Sequence, residues 1–192
     1  METGDQILMV EGKDSPLALQ ELITRAQAGD DRSFEEIMIL HERRVFRTAL
    51  RILGNAEDAR DAAQEVFLRL FKFLDRFDVR KGLHPWLYTI TLNVCRDIAR
   101  KRRPEELLPE QLQDHAASNP HSRSVGIRII EQGLKALTEK ERAALVLRDL
   151  QGLSTQEVAE ILGSSETTVR SHISRARIKL KEFRDQVSRR QS

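Results

Sequence analysis

Residues 137–180 read LTEKERAALVLRDLQGLSTQEVAEILGSSETTVRSHISRARIKL, and the punctuation of this stretch decides the fold. Thr138 precedes an apolar-periodic run and is followed three residues later by Glu141, the signature of a reciprocal helix cap. That helix is predicted to run to about Leu150, with Gly152 after it. Ser154 and Glu157 repeat the pattern for a short helix ending near Leu162-Gly163. Ser164-Ser165 opens a last helix, in which Val169, Ile173, Ala176 and Leu180 recur on one face. A short helix, a glycine turn and a longer basic helix make a helix-turn-helix, whose second helix suits the major groove of duplex DNA.

The apolar face turns Val169, Ile173 and Ala176 inward. It leaves Arg170, Ser171, Ser174 and Arg175 outward. Arginine bonds bidentately to guanine O6 and N7, and serine bonds several base edges or a phosphate. Arg177, Lys179 and Lys181 follow, at positions suited to phosphates.

Upstream, the segment 104–124 (PEELLPEQLQDHAASNPHSRS) holds three of the five prolines and little apolar periodicity. It is predicted to be a flexible linker between a helical unit over 16–103 and the helix-turn-helix unit over 125–192. The first unit carries helical periods through Phe34, Ile37, His41, Val45, Ala49 and Ile52, then Ala59, Ala63, Val66, Leu70 and Leu74. A third runs through Leu83, Trp86, Leu87, Ile90, Val94 and Ile98. Gly54-Asn55 and Lys81-Gly82 punctuate them, and a shorter helix over about 16–28 ends at Gly29. No stretch alternates over strand length. The fold class is therefore all-α: an N-terminal four-helix bundle and a C-terminal helix-turn-helix domain. Residues 1–15 read as a disordered extension.

The formal net charge is only +2. It is segregated: residues 1–30 carry −4, 31–103 carry +5, 104–124 carry −3 and 125–192 carry +4. Two basic units flank an acidic one, and each basic unit concentrates its cations at its C-terminal end. That layout suits two phosphate-facing surfaces. No apolar run is long enough for membrane insertion. The acidic N-terminus lacks a signal core, and the lone Cys95 forms no internal disulfide, so the cytoplasm is the expected compartment. No CxxC or HExxH occurs and the five histidines are scattered, so no metal or other cofactor is expected. Cys95 lies within an apolar helix with no histidine nearby in sequence, and no Gly-rich phosphate loop exists, so catalysis is not expected.

Residues 137–180 resemble region 4 of sigma-70 family RNA polymerase sigma factors. The stretch QAGDDRSFEEIMILHERRVFRTALRILGNAEDARDAAQEVFLRLFKFLDRF (27–77) and the helix HPWLYTITLNVCRDIARKRR (84–103) are similar to region 2. Only these two regions are present, the layout of the extracytoplasmic-function (ECF) group. The resemblance spans roughly residues 17–184.

It implies a dissociable, non-catalytic specificity subunit that recognises promoter −10 and −35 elements and promotes DNA melting. The partners it implies are core RNA polymerase (largest-subunit clamp helices and flap), promoter DNA and an anti-sigma factor. It places Asp61, Gln64, Glu65 and Arg69 at the clamp helices. The loop 75–85 corresponds to a pocket for a flipped −10 base, with Phe77, Arg80, Lys81 and His84 as candidates for stacking or phosphate contacts. Asn93, Arg96 and Arg100 would face the −10 DNA from the following helix, while Trp86 and Leu87 would hold the bundle core. Arg170, Ser171, Ser174 and Arg175 would read the −35 element. Thr167, His172, Ser174 and the Leu83-His84-Pro85 loop depart from common family residues, which bears on the promoter sequence and not on the class. The stretch TVRSHISRARIKL also resembles LuxR-type regulators. The N-terminal half separates the two readings, because a LuxR-type protein would carry a receiver or ligand-binding domain there.

Overall fold

The computed structural model describes residues 16–102, 130 and 132–191. The extension 1–15 and the predicted linker 104–124 lie outside these residues. All regular structure among them is helical. Four helices make the first unit: α1 (Pro16–Gln27), α2 (Asp31–Leu53), α3 (Ala56–Phe73) and α4 (Leu83–Arg102). Two 3₁₀ turns, Leu74–Arg76 and Val79–Lys81, bridge α3 and α4. The second unit holds α5 (Glu139–Leu145), α6 (Thr155–Leu162) and the long α7 (Glu166–Gln191).

The boundaries follow from where the terminal backbone groups find partners. Asp30 caps α2, accepting from the Arg32 N–H, and its carboxylate also takes the Ser33 hydroxyl at 2.7 Å and the Arg25 guanidinium at 2.8 and 3.1 Å. At the far end, Gly54 adopts φ 72°, and its N–H closes on the Leu50 carbonyl. A side chain there would strain the left-handed backbone. Asn55 then caps α3 through the Glu57 and Asp58 N–H groups. Both expected capping boxes are formed, Thr138 with Glu141 and Ser154 with Glu157. Ser165 opens α7, accepting from the Thr168 N–H at 3.1 Å.

The core of the first unit is built from the predicted stripes, joined by Ile23 of α1. Ile23, Ile37, Val45, Ala59, Val66, Leu70, Leu87 and Val94 are all buried. Each large aliphatic side chain removed from water contributes about 1.5–3 kcal/mol. Phe34 and Phe71 meet edge to face at 4.9 Å, tying α2 to α3. In the second unit Ala144, Val146, Leu147, Val158, Val169 and Ala176 are buried. Gly133 lets α7 approach: a Cβ there would lie 2.7 Å from a Leu180 methyl.

One expectation needs correction. The helix after Thr138 does not stay α-helical to Leu150. It changes to a π turn over Val146–Leu150, in which the Gln151 N–H reaches back five residues to the Val146 carbonyl. The two units also touch. The Arg142 guanidinium donates to the Ile52 carbonyl of α2 at 2.7 Å and to the Leu137 carbonyl of its own unit at 3.1 Å. The Tyr88 hydroxyl donates to the Gln151 amide oxygen at 2.8 Å, and Arg96 pairs with Glu139 at 3.3 Å. Burial pushes the Tyr88 phenol up to about 12 and draws the Arg142 guanidinium down from its ordinary value.

Asp30 supplies a test of the α1–α2 junction. The Ser33 and Arg25 hydrogen bonds hold its carboxyl down at about 2, from 3.8. A depressed carboxyl pKa adds stability that is fully present above the unfolded value and is lost as pH falls through the folded one. The melting temperature of Asp30→Asn should therefore lie below that of the parent above pH ~4, and the gap should close as pH falls towards ~2. A gap that stays constant through this range would contradict the assignment.

Candidate nucleic-acid interface

Three surfaces carry the residues singled out by sequence, and each is set by the helices just described. On α7, Val169, Ile173 and Ala176 are buried against the domain. Arg170, Ser174 and Arg175 are exposed and Ser171 is half-buried. Arg170 pairs with Glu166 one turn earlier, and Arg175 donates to the Ser171 hydroxyl at 3.0 Å. Arg177 makes a two-pronged bond to Asp149 at 2.7 and 2.9 Å. Lys179 donates at 2.8 Å to Glu141, whose side chain is only 5% exposed. Its ammonium is thus tied to the Thr138 cap, while the side chain remains partly exposed. The Lys179 bond and the cap hold the Glu141 carboxyl below its usual range. Arg148, Thr155, Arg170, Ser174, Arg177 and Ile178 line one groove where α6 begins beside α7. Of these, sequence reasoning missed Arg148, Thr155 and Ile178, which enter only because the π turn and the start of α6 fold beside α7.

The second surface is the loop between α3 and α4. Phe77 is half-buried and lies flat on Trp86, with ring centroids 4.6 Å apart and planes 12° from parallel. Trp86 is therefore only partly core, unlike Leu87, which is 1% exposed. Asp78 caps the second 3₁₀ turn and holds Arg80 at 2.9 Å, while Lys81 is exposed. His84 accepts at Nε2 from the Arg44 guanidinium of α2 at 2.7 Å and meets the His41 ring edge-on at 5.1 Å. Asn93, Arg96 and Arg100 continue along one face of α4. Arg96 leans on Asn93 and Glu139, and Arg100 pairs with Asp97 at 2.9 Å. Arg44 was missed, since its role comes from a contact 40 residues away.

The third surface is the outer side of α3. Asp61 and Gln64 are exposed there. Arg69 bridges Glu65 one turn earlier at 2.7 Å and Asp97 of α4 at 3.2 Å, so its guanidinium braces α3 against α4 while both side chains of the Glu65 pair stay partly exposed. The same face continues through Leu68 and Phe71, which are 64% and 60% exposed. The residues 61, 64, 68 and 71 lie three to four apart and share one side. Leu68 was legible as a leucine standing off the stripe of Ala59, Ala63, Val66 and Leu70, and it was overlooked.

Among the described residues, no cluster of His, Cys, Asp or Glu is arranged to hold a metal ion, and no helix is long and apolar enough to cross a membrane. Cys95 is fully buried, and desolvation pushes its thiol up to about 12.

Residues 38–105 match the family described as Sigma-70 region 2, and residues 127–180 match Sigma-70, region 4. The chain is 31% identical to the RNA polymerase sigma-H factor of Pseudomonas aeruginosa, over 82% of this chain and 89% of that protein. It is 29% identical to the ECF RNA polymerase sigma factor SigW of Bacillus subtilis, over 88% and 98%. Among solved structures it is similar to CnrH in complex with the cytosolic domain of CnrY, with a TM-score of 0.67, 28% identity, and 86% and 96% of the two chains covered. It also shares the fold of the sigma factor RpoE bound to the anti-sigma factor NepR from Bartonella quintana, with a TM-score of 0.71 and 24% identity over 80% and 98%.

Burial of Cys95 makes a measurable claim. A thiol reagent such as DTNB should leave the native chain unlabelled over minutes and label it fully in denaturant. Rapid native labelling would mean that the bundle opens around α4.

Proposed function

The chain belongs to the sigma-70 family of RNA polymerase sigma factors, in the extracytoplasmic-function group, and from that footing we propose how its surfaces divide the work of initiation. It is a specificity subunit that brings core polymerase to promoters, with no catalytic step of its own and with the cytoplasm as its place of action. Arg170, Ser171, Ser174 and Arg175 read the −35 element from the major groove. Arg177 and Arg148 take phosphates at the edge of the groove that α6 and α7 form. The loop carrying Phe77, Arg80, Lys81 and His84 receives a −10 base, and Asn93, Arg96 and Arg100 follow the neighbouring strand. Asp61 and Gln64, extended by Leu68 and Phe71, meet the clamp helices of the largest subunit, and the second unit meets the flap. An anti-sigma factor is the expected inhibitor.

One observation carries this reading: two helical units of one chain each expose cationic and hydrogen-bonding side chains at elements that match sigma regions 2 and 4. The helix-turn-helix alone is shared with LuxR-type regulators. The all-helical first unit, matching region 2, stands where that reading required a receiver or ligand-binding domain. Each unit offers few base contacts by itself. Joined in one chain and seated on polymerase, each raises the effective concentration of the other.

The physical requirements are distinct at the two elements. At −35, a bidentate arginine discriminates guanine by about 1–3 kcal/mol. At −10, taking a base from the stack costs a few kcal/mol, which pocket contacts must offset. In the free chain Arg96 is paired with Glu139 and Arg177 with Asp149, and phosphate competes with these carboxylates for the two guanidinium groups.

Run-off transcription with core polymerase and genomic promoter fragments tests the reading. A promoter-dependent product should appear only when the chain is present; its absence with an active core would overturn the assignment. On such a promoter, Arg175→Ala should weaken binding by about 1–3 kcal/mol and relax selectivity at one −35 position. Arg177→Ala should weaken all duplexes alike and lower the salt slope by about one.

A further inference from the structure

One polar side chain on the far side of the first unit reaches the loop that carries Phe77. Gln27 is the last residue of α1 and is half-buried. Its amide nitrogen donates to the Leu74 carbonyl at 2.8 Å and to the Phe77 carbonyl at 2.8 Å. The primary amide is suited to this task, since it offers two N–H donors on one nitrogen and no charge to desolvate. Leu74 is buried, and its carbonyl also accepts the Phe77 N–H at 3.0 Å. The two bonds from Gln27 therefore span both ends of the turn between the helix end and the aromatic ring.

The remaining links run outward from that turn. Phe77 stacks on Trp86, and the next residue, Asp78, caps the following 3₁₀ turn through the Arg80 N–H. Behind Gln27, the junction of α1 with α2 is locked by Arg25, Asp30 and Ser33 meeting on one carboxylate. A rigid helix junction thus holds an amide, the amide holds two carbonyls, and the carbonyls set where the Phe77 ring lies.

We propose that Gln27 is a positioning residue for −10 recognition: through the Leu74 and Phe77 carbonyls it fixes the loop that receives the unpaired base, without touching DNA itself. This rests on the reading that the loop 75–85 is the −10 pocket. Preorganisation of this kind acts on the melted state. A loop already held in its bound shape loses less conformational freedom when the base enters. Recognition of duplex DNA by α7 lies on the other unit and does not draw on this loop.

The test uses holoenzyme reconstituted from core polymerase and the full chain, on a promoter that the parent chain transcribes. Two probes are compared: a fork whose −10 segment is single-stranded, and a duplex carrying the −35 element alone. Gln27→Ala and Gln27→Glu should each weaken fork binding about tenfold, the loss of two neutral hydrogen bonds. Binding of the −35 duplex and of core should stay at the parent value. Gln27→Lys should recover much of the fork affinity, because an ammonium can donate to both carbonyls. In a Phe77→Ala background, Gln27→Ala should add little, as expected for residues acting through one another. Fork binding indifferent to Ala and Glu overturns the proposal, as does an equal fall in fork, duplex and core binding, which marks a general folding role. Absence of any fork complex with the parent holoenzyme would instead overturn the functional reading on which the proposal stands.

Discussion

The buried carboxylate of Glu141 is the interaction on which the second unit turns. It accepts the Thr138 N–H at 3.0 Å, which fixes where α5 starts, and the Lys179 ammonium at 2.8 Å, which fixes the roll of α7 about its axis. A unit of this size has a small core and correspondingly little apolar surface to orient its longest helix. A charge-assisted bond from a nearly buried acceptor supplies that orientation. The face that α7 turns to solvent, with Arg170, Ser174 and Arg175, is therefore set by the buried stripe of Val169, Ile173 and Ala176 together with this ion pair further along the helix. In the free chain that lysine is engaged with Glu141.

The first unit relies on a different device. Its helices are long enough to be positioned by apolar stripes, so its polar side chains are released for the joints. Asp30, Asn55 and Gln27 each satisfy backbone or side-chain groups at a helix end, and together they determine the course of the chain from α1 to the Phe77 loop. Between the units lie Arg142, Tyr88 and the Arg96–Glu139 pair. Two of these three contacts are neutral or part-buried, and one is an exposed ion pair worth at most about 1 kcal/mol. Such a contact holds the units together without committing them to that arrangement, as a protein with binding elements on two bodies requires.

Much of this was legible in the sequence, for reasons that differ by residue. Thr138-x-x-Glu141 and Ser154-x-x-Glu157 announce helix starts because capping is local chemistry. Gly54-Asn55 marks a boundary because glycine tolerates the left-handed backbone and asparagine accepts the next N–H groups. The stripe through Val169, Ile173 and Ala176 gives the outward face of α7 by subtraction. What escaped was non-local. Nothing near Lys179 says that it would find Glu141, nothing near Gln27 says that two carbonyls 47 and 50 residues away would close on its amide, and nothing near Arg142 points to Ile52. The departure from regular helix at Val146–Leu150 has no sequence signal that we can name, since VLRDL is an ordinary helical run.

That π turn has a consequence for how the units meet. A π turn is an α-helix carrying one residue more than its hydrogen bonding needs. Because each residue advances a helix by about 100°, the extra one turns everything after it, Gln151 included, by roughly a quarter of a revolution. The bond between Tyr88 and Gln151 depends on that rotation. Deleting a single codon in this run would restore a regular helix and swing Gln151 off its partner, with every buried side chain upstream left in place. One residue thus sets the angular position of Gln151 and of everything after it, α6 and α7 included, while Glu139 and Arg142, which also reach the first unit, lie before the turn and are untouched by it.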